Sequence, residues 1–309
     1  RNIASHGYLV IALEHEDGSG CYAQTQDGTQ IYYTRPDDTP YSREKVLKFR
    51  GPMLDHRVGE VTRAMDYIFA CEKDSSNHAT NTRMKGEHDN ASLFDPLLEQ
   101  VLSMADTNVG ISLIGHSFGA ATMALVTQRL APSSSSSSSK ASPNITSVAF
   151  LDPWAFSLPD EVLSKGIQQT PVLSIFSESW TKSPELSHVL HLLQSSDNAQ
   201  QNCFWAPSTV HASVADSSGW LPGFLTRRIG LRGGEKRHEI HRVVAQVCAG
   251  HVHTSLVSSS SISSPGLNDE NGDGRGMKKK YSSLSSLLHH VIFRRKTLSK
   301  DLLQPYSLK

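Results

Sequence analysis

Gly115-His-Ser-Phe-Gly119 sets one serine hydroxyl between two glycines. An apolar run at 109–114 precedes it, and an apolar, helix-forming run at 120–130 follows. Strand, tight turn, helix is the order in which Gly-x-Ser-x-Gly exposes a nucleophile above a sheet. So tight a turn leaves no room for side chains at its flanks, which accounts for Gly115 and Gly119. Ser117 is then the candidate nucleophile. The Phe118 N–H, at the start of the following helix, is the candidate donor to a developing oxyanion.

A serine hydroxyl needs a base within hydrogen-bond reach, and the base needs an acid to fix its tautomer. After a turn of this kind the chain order is Ser, then Asp or Glu, then His. Two acids stand directly after apolar runs: Asp152 after 148–151, and Glu178 after 172–176. Their spacing leaves both open. For the base, His211 follows the apolar run 203–205 within Ser208-Thr-Val-His-Ala-Ser213. His188 and His191 lie in a polar helical stretch and read as solvated. His238-x-x-His241 and His251-x-His253 have the spacing of a helix surface and read as no metal site.

These residues require elements to hold them. Residues 8–13, 109–114, 148–151, 172–176 and 203–205 read as strands. Residues 41–72 read as helical, with Pro52 breaking the stretch into two helices. Further helices are expected at 93–104, 120–130 and 239–252, and polar loops at 14–33 and 73–89. Strands alternating with helices imply an α/β fold, a mostly parallel sheet with helices on both faces. The serine turn makes it an α/β-hydrolase. The catalytic domain is placed at 1–254, with a surface insertion at 132–143 that carries seven consecutive serines; residues 255–309 form a Ser/Gly-rich, then basic tail.

Composition excludes several classes. Formal net charge is +0, so the whole chain gives no electrostatic case for nucleic acid. No apolar run approaches the length of a membrane span. Cys21, Cys71, Cys203 and Cys248 are far apart and fit neither a disulfide framework nor a zinc knuckle. The sequons Asn90-Ala-Ser92 and Asn144-Ile-Thr146 are too common by chance to place the protein outside the cell.

Four segments now carry a resemblance: Leu113-Ile-Gly-His-Ser-Phe-Gly-Ala120, Phe150-Leu-Asp-Pro-Trp-Ala-Phe156, Ser174-Ile-Phe-Ser-Glu178 and Val210-His-Ala-Ser-Val-Ala-Asp216. Together with Ile3-Ala-Ser-His-Gly-Tyr-Leu-Val-Ile-Ala-Leu-Glu-His15 and Asp17-Gly-Ser19, they resemble the plasma and type II platelet-activating factor acetylhydrolase family, over about residues 3–252. The resemblance implies Ser117 as nucleophile, Asp152 rather than Glu178 as acid, and His211 as base. It implies a calcium-independent phospholipase A2 that cleaves short or oxidised sn-2 acyl chains of phospholipids without a metal or organic cofactor. Contact with a membrane or lipoprotein surface is implied with it. Glu16 and Ala120 depart from the family's usual basic residue and second glycine.

The first residue is Arg1, and the chain opens as the end of a helix running into the strand at 8–13. A doubly wound sheet does not normally start so. The early strands, and the family's loop that donates the second oxyanion N–H, are expected to precede Arg1.

Residues 258–309 hold nine Lys/Arg against four Asp/Glu. Leu284, Leu287, Leu288, Val291 and Ile292 recur at helical spacing within them. This pattern suits a basic amphipathic helix on an anionic lipid surface, a helix docked on the domain, or a solvated tail. An anchoring tail predicts that deleting 258–309 abolishes salt-sensitive co-sedimentation with anionic vesicles. Unchanged binding after the deletion rules the anchor out.

Overall fold

A computed structural model describes residues 2–36, 42–77, 96–106, 109–131, 144–197, 202–215, 223–230, 237–260 and 304–305. After a 3-10 turn at Ala4–His6 the chain runs without regular structure into an antiparallel hairpin, β1 (Tyr22–Gln24) and β2 (Gln30–Tyr32). Helices α1 (Arg43–Asn77) and α2 (Pro96–Ser103) follow. Then come β3 (Ile111–His116), α3 (Phe118–Leu130), β4 (Ile145–Leu151) and α4 (Asp160–Lys165). β5 (Val172–Ser177), α5 (Glu178–Thr181), α6 (Leu186–Gln194) and β6 (Cys203–Ala206) complete the parallel part. Short α7 (Gly223–Arg228), long α8 (Arg237–Ser260) and two-residue β7 (Gln304–Pro305) end the order.

The main sheet has the order β3-β4-β5-β6-β7. Its first four strands are parallel, and β7 pairs antiparallel with β6. Side chains alternate across it with period two. Val148, Phe150, Val172 and Phe176 face one layer, where α1, α3, α4 and α6 pack. Ala149, Leu173 and Ile175 face the other, against Ile240, Val243, Val244 and Val247 of α8. All six residues of β5 are buried, as a central strand covered on both faces requires. The sheet with helices on both faces is the fold expected of an α/β-hydrolase.

Four expectations are corrected. Residues 8–13 do not form a strand, and Leu9, Val10, Ile11 and Leu13 are 40–47% exposed. An apolar run becomes a strand when a neighbour accepts its backbone bonds, and no described strand pairs with this one. Pro52 does not divide its helix; α1 is continuous through it. One missing backbone donor is outweighed by the apolar face, since Val46, Leu54, Val58, Val61 and Met65 are all buried. The same helix runs into the expected loop at 73–89, as far as Asn77. The loop at 14–33 contains the β1–β2 hairpin, turned at Asp27-Gly28 where Gly28 has φ +85°. The Asp-Gly pair was a readable turn signal. The insertion at 132–143 and the amphipathic stripe at 284–292 lie outside the described residues.

β3 hands over to α3 through the single residue Ser117, with φ 55° and ψ −120°. The Ser117 N–H donates to the Leu151 carbonyl at 2.9 Å, and the Trp154 N–H donates to the Ser117 carbonyl at 3.1 Å. These bonds hold a backbone conformation that a non-glycine residue enters at a free-energy cost of about 1–3 kcal/mol. The expectation that both flanking glycines lack room for a side chain holds for Gly115 and is corrected for Gly119. A Cβ on Gly115 would meet the Gly119 carbonyl oxygen at 2.4 Å and the Ala120 Cα at 2.6 Å. A Cβ on Gly119 would meet nothing within 4 Å. Gly115→Ala is therefore expected to destabilise by about 1–3 kcal/mol and to displace the turn. Gly119→Ala should be neutral or slightly stabilising within the first turn of α3. Urea unfolding of the two variants against the parent checks the ranking.

Candidate active site

Three strand ends deliver the expected side chains to one place. Ser117 follows β3, Asp152 follows β4, and His211 opens a 3-10 turn, His211–Val214, after β6. Parallel strands all end at the same edge of a sheet, which is why residues about 95 positions apart can meet. His211 Nε2 lies 2.9 Å from Ser117 Oγ. His211 Nδ1 lies 3.1 Å from Asp152 Oδ2. A carboxylate only accepts, so the imidazole proton sits on Nδ1 and the Nε2 lone pair faces the serine hydroxyl. Phe118 opens α3, and its N–H belongs to the first helical turn, where no intrahelical carbonyl is available to it. The positive end of the helix dipole adds to the same spot.

Asp152 is 3% exposed and also has positive φ, 43°. Its orientation is set by the turn after β5. The Ser177 N–H donates to Oδ1 and the Ser177 hydroxyl to Oδ2, both at 2.6 Å. Three donors on one buried carboxylate leave it little freedom to turn. Glu178, the alternative acid, points elsewhere. Its Oε2 accepts from the Ser208 N–H and its Oε1 from Lys182 Nζ, both at 2.6 Å. The Lys182 ammonium, then the Ser208 N–H, hold the Glu178 carboxyl below the usual glutamate range. Glu178 thus ties down the loop that leads to His211 and does not touch its ring.

Four residues not singled out from the sequence complete the surroundings. Ser177 holds the Asp152 carboxylate. The Ser179 hydroxyl accepts from the His211 backbone N–H at 3.0 Å. The Trp180 ring stacks on the His211 ring, centroids 4.6 Å apart and planes 19° apart. The His116 ring also lies against that of His211, centroids 4.6 Å apart and tilted by 32°, and its Nε2 donates to the His211 carbonyl at 3.0 Å. Burial, then the neighbouring His211, lowers the His116 pKa to about 4, so this ring stays neutral near pH 7. The cluster Ser177-Glu-Ser-Trp180 directly after an apolar run is the signal the sequence offers for Ser177, Ser179 and Trp180.

Phe118 also has a structural part. Its ring lies edge-on to Trp154 at 5.6 Å and under the Arg57 guanidinium at 4.6 Å. Arg57 Nε donates to Asp17 Oδ2 at 2.6 Å, and Ser19 completes that cluster. Burial alone would raise the Asp17 carboxyl, but the bonds from Ser19 and Arg57 bring it below the usual range. The 17–19 segment is thereby pinned to α1 beside the serine turn.

Three of the other histidines weighed as the base lie elsewhere. His241 Nε2 donates to the Ser213 carbonyl at 2.8 Å, and His251 is 1% exposed within α8. Burial lowers the His251 pKa to about 4. His188 is half-buried rather than solvated, because α6 turns it edge-on to Phe156 at 5.2 Å. Burial raises the Cys203 and Cys248 thiols to about 12, so both are inert near neutral pH. His116, Asp152 and His211 offer ligand atoms within 4.8 Å of one another. Hydrogen bonds to Ser177, to the His211 carbonyl and to Ser117 already engage those atoms. Among the described residues no helix is long and apolar enough to cross a membrane.

A family described as platelet-activating factor acetylhydrolase, isoform II, matches this chain over residues 1–255. The chain is similar to a platelet-activating factor acetylhydrolase of Bos taurus, 31% identical over 185 residues. That alignment takes in 57% of this chain and 35% of the bovine protein, so it spans about a third of that relative's length.

If Asp152 orients the base, Asp152→Asn should lower turnover by about 10⁴, the effect of holding the imidazole in the wrong tautomer. Glu178→Gln should cost far less, because it loosens a loop contact and leaves the His211 ring bonds in place. Steady-state rates on one ester for both variants check this; the reverse ranking would assign the acid to Glu178.

Proposed function

This chain belongs to the platelet-activating factor acetylhydrolase, isoform II, family, and on that premise we propose that it is a serine esterase cleaving the short sn-2 acyl ester of platelet-activating factor-like phospholipids. The observation that carries the reading is the line Ser117 Oγ, His211 Nε2, His211 Nδ1, Asp152 Oδ2, with steps of 2.9 and 3.1 Å. Nucleophile, base and orienting acid stand in hydrogen-bond sequence, as acyl transfer by serine requires.

In the proposed reaction His211 Nε2 takes the Ser117 proton as Oγ attacks the ester carbonyl. The tetrahedral oxyanion meets the Phe118 N–H at the head of α3. Collapse expels the glycerol oxygen, which takes the proton back from His211 and leaves as lysophospholipid. Water, deprotonated by the same imidazole, then releases the acid from Ser117. Asp152 stays ionised throughout and stabilises the imidazolium. Every proton moves between Ser117, His211, the substrate and water, so the route calls on no calcium.

Ser117→Ala should reduce ester hydrolysis by about 10⁴–10⁶ while leaving the fold intact. A fluorophosphonate should label the parent and not the variant, and EDTA should leave the parental rate unchanged. Turnover across a series of sn-2 chains should fall as the chain lengthens. A rate that is flat or rises with chain length would redirect the reading to another carboxylester substrate, and a fully active Ser117→Ala protein would sink the mechanism.

A further inference from the structure

The turn Ser177–Trp180 does more than connect β5 to α5. Each of its four residues contacts the acid, the base or the loop before the base. Three of these contacts are hydrogen bonds that fix position. The fourth is different in kind: an indole face laid parallel on the His211 imidazole at 4.6 Å. We propose that Trp180 is a positioning residue that holds the His211 ring by stacking and favours its protonated form when it takes the Ser117 proton. The inference rests on His211 being the base.

The geometry supports this in three ways. First, a cation within about 6 Å of an indole centroid is attracted by the negative face of the ring, and indole is the strongest of the aromatic faces. Second, the Trp180 indole N–H is buried with no hydrogen-bond partner among the described residues. Burying that donor costs free energy, so the ring is placed by its face and not by its polar edge. Third, the His116 ring lies 4.6 Å from that of His211, tilted by 32°, and its Nε2–H is committed to the His211 carbonyl. The imidazole therefore has two rings against it, and rotation out of the Ser117–Asp152 line would disturb both contacts.

Among the described residues the charged and titratable groups around His211 are few. Asp152 comes from the end of β4 and His116 from the end of β3. Glu178, paired with Lys182, comes from α5, and His241 lies behind Ser213 from α8. His116 is already neutral across the working range, so a change at Trp180 reports on His211.

The test is the pH dependence of fluorophosphonate labelling of Ser117, which depends on nucleophile activation and not on the natural substrate. Trp180→Leu and Trp180→Met remove the aromatic face; Trp180→Phe keeps a weaker one. Loss of the face should slow labelling on the pH plateau by about 3–10-fold and move the acid limb down by about 0.5–1 pH unit. Both effects come from the same lost stabilisation of the imidazolium. Trp180→Phe should recover most of each. A slower plateau with an unmoved acid limb in both aliphatic variants would mean that Trp180 only fills space, and would overturn the proposal. So would a phenylalanine variant no better than the aliphatic ones. Should one aliphatic variant fail to fold, the other is compared with Trp180→Phe. A parent protein that does not label at all would instead defeat the esterase reading, and this inference with it.

Discussion

The backbone of Gly115 runs so close beneath the first turn of α3 that a Cβ there would overlap the Gly119 carbonyl. This approach is what allows β3 to reverse into α3 across one residue, and the rest of the site is arranged around it. A looser turn would add residues between strand and helix. The hydroxyl would then leave the sheet edge, and the Phe118 N–H would no longer point at the same place. The turn is also tied sideways. Ser117 N–H and C=O bond to Leu151 and Trp154, the residues on either side of the Asp152 segment. Ser117 and the segment that carries Asp152 are thus parts of one backbone network before any side chain is considered.

Conformational strain is concentrated at the same residues. Four non-glycine residues among those described have positive φ, and Ser117 and Asp152 are two of them. A third, Ser208, lies in the loop before His211, and its N–H is held by Glu178. Each such residue raises the energy of the folded chain by about 1–3 kcal/mol. The surrounding core offsets this: β5 is buried along its whole length, and α1, α3, α4 and α6 fill one face of the sheet while α8 fills the other. Rigid packing on both faces lets the sheet edge keep a geometry that local preference would not choose.

Division of labour between the two candidate acids follows from register. Ser174 of β5 pairs with Phe150 of β4, and Ile175 with Leu151, so Ser177 arrives beside Asp152. One residue further on, Glu178 has entered α5 and faces the loop at Ser208. A carboxylate directly after a strand was a sound criterion for both. Two residues of register separated a group that reaches the imidazole from one that anchors its loop.

Much of this protein was legible in its sequence. The serine turn, the strands ending at Leu151, Ser177 and Ala206, and the α8 stripe at Ile240, Val243, Val244 and Val247 follow from local patterns of period two or 3.6. Ser117 and His211 could be named as candidates for the same reason, since each follows a strand and residue type decides its chemistry; local pattern left Asp152 and Glu178 both open, and only the family resemblance pointed to Asp152. Other features were set by partners distant in the chain. Residues 8–13 had the composition of a strand and no described neighbour to pair with. Pro52 had the signature of a break, yet burial of one face carried α1 through it. Neither the bonding of Asp152, rather than Glu178, to the His211 ring nor the placing of Trp180 and His116 against that ring leaves a local mark, because orientation depends on strand register. The sequence by itself determined which groups could do the chemistry and roughly where each strand would end. The tertiary structure alone decided which of them meet, because distances of about 3 Å between residues 59 and 94 positions apart are set by how strands pair and not by the order of residues along any one of them.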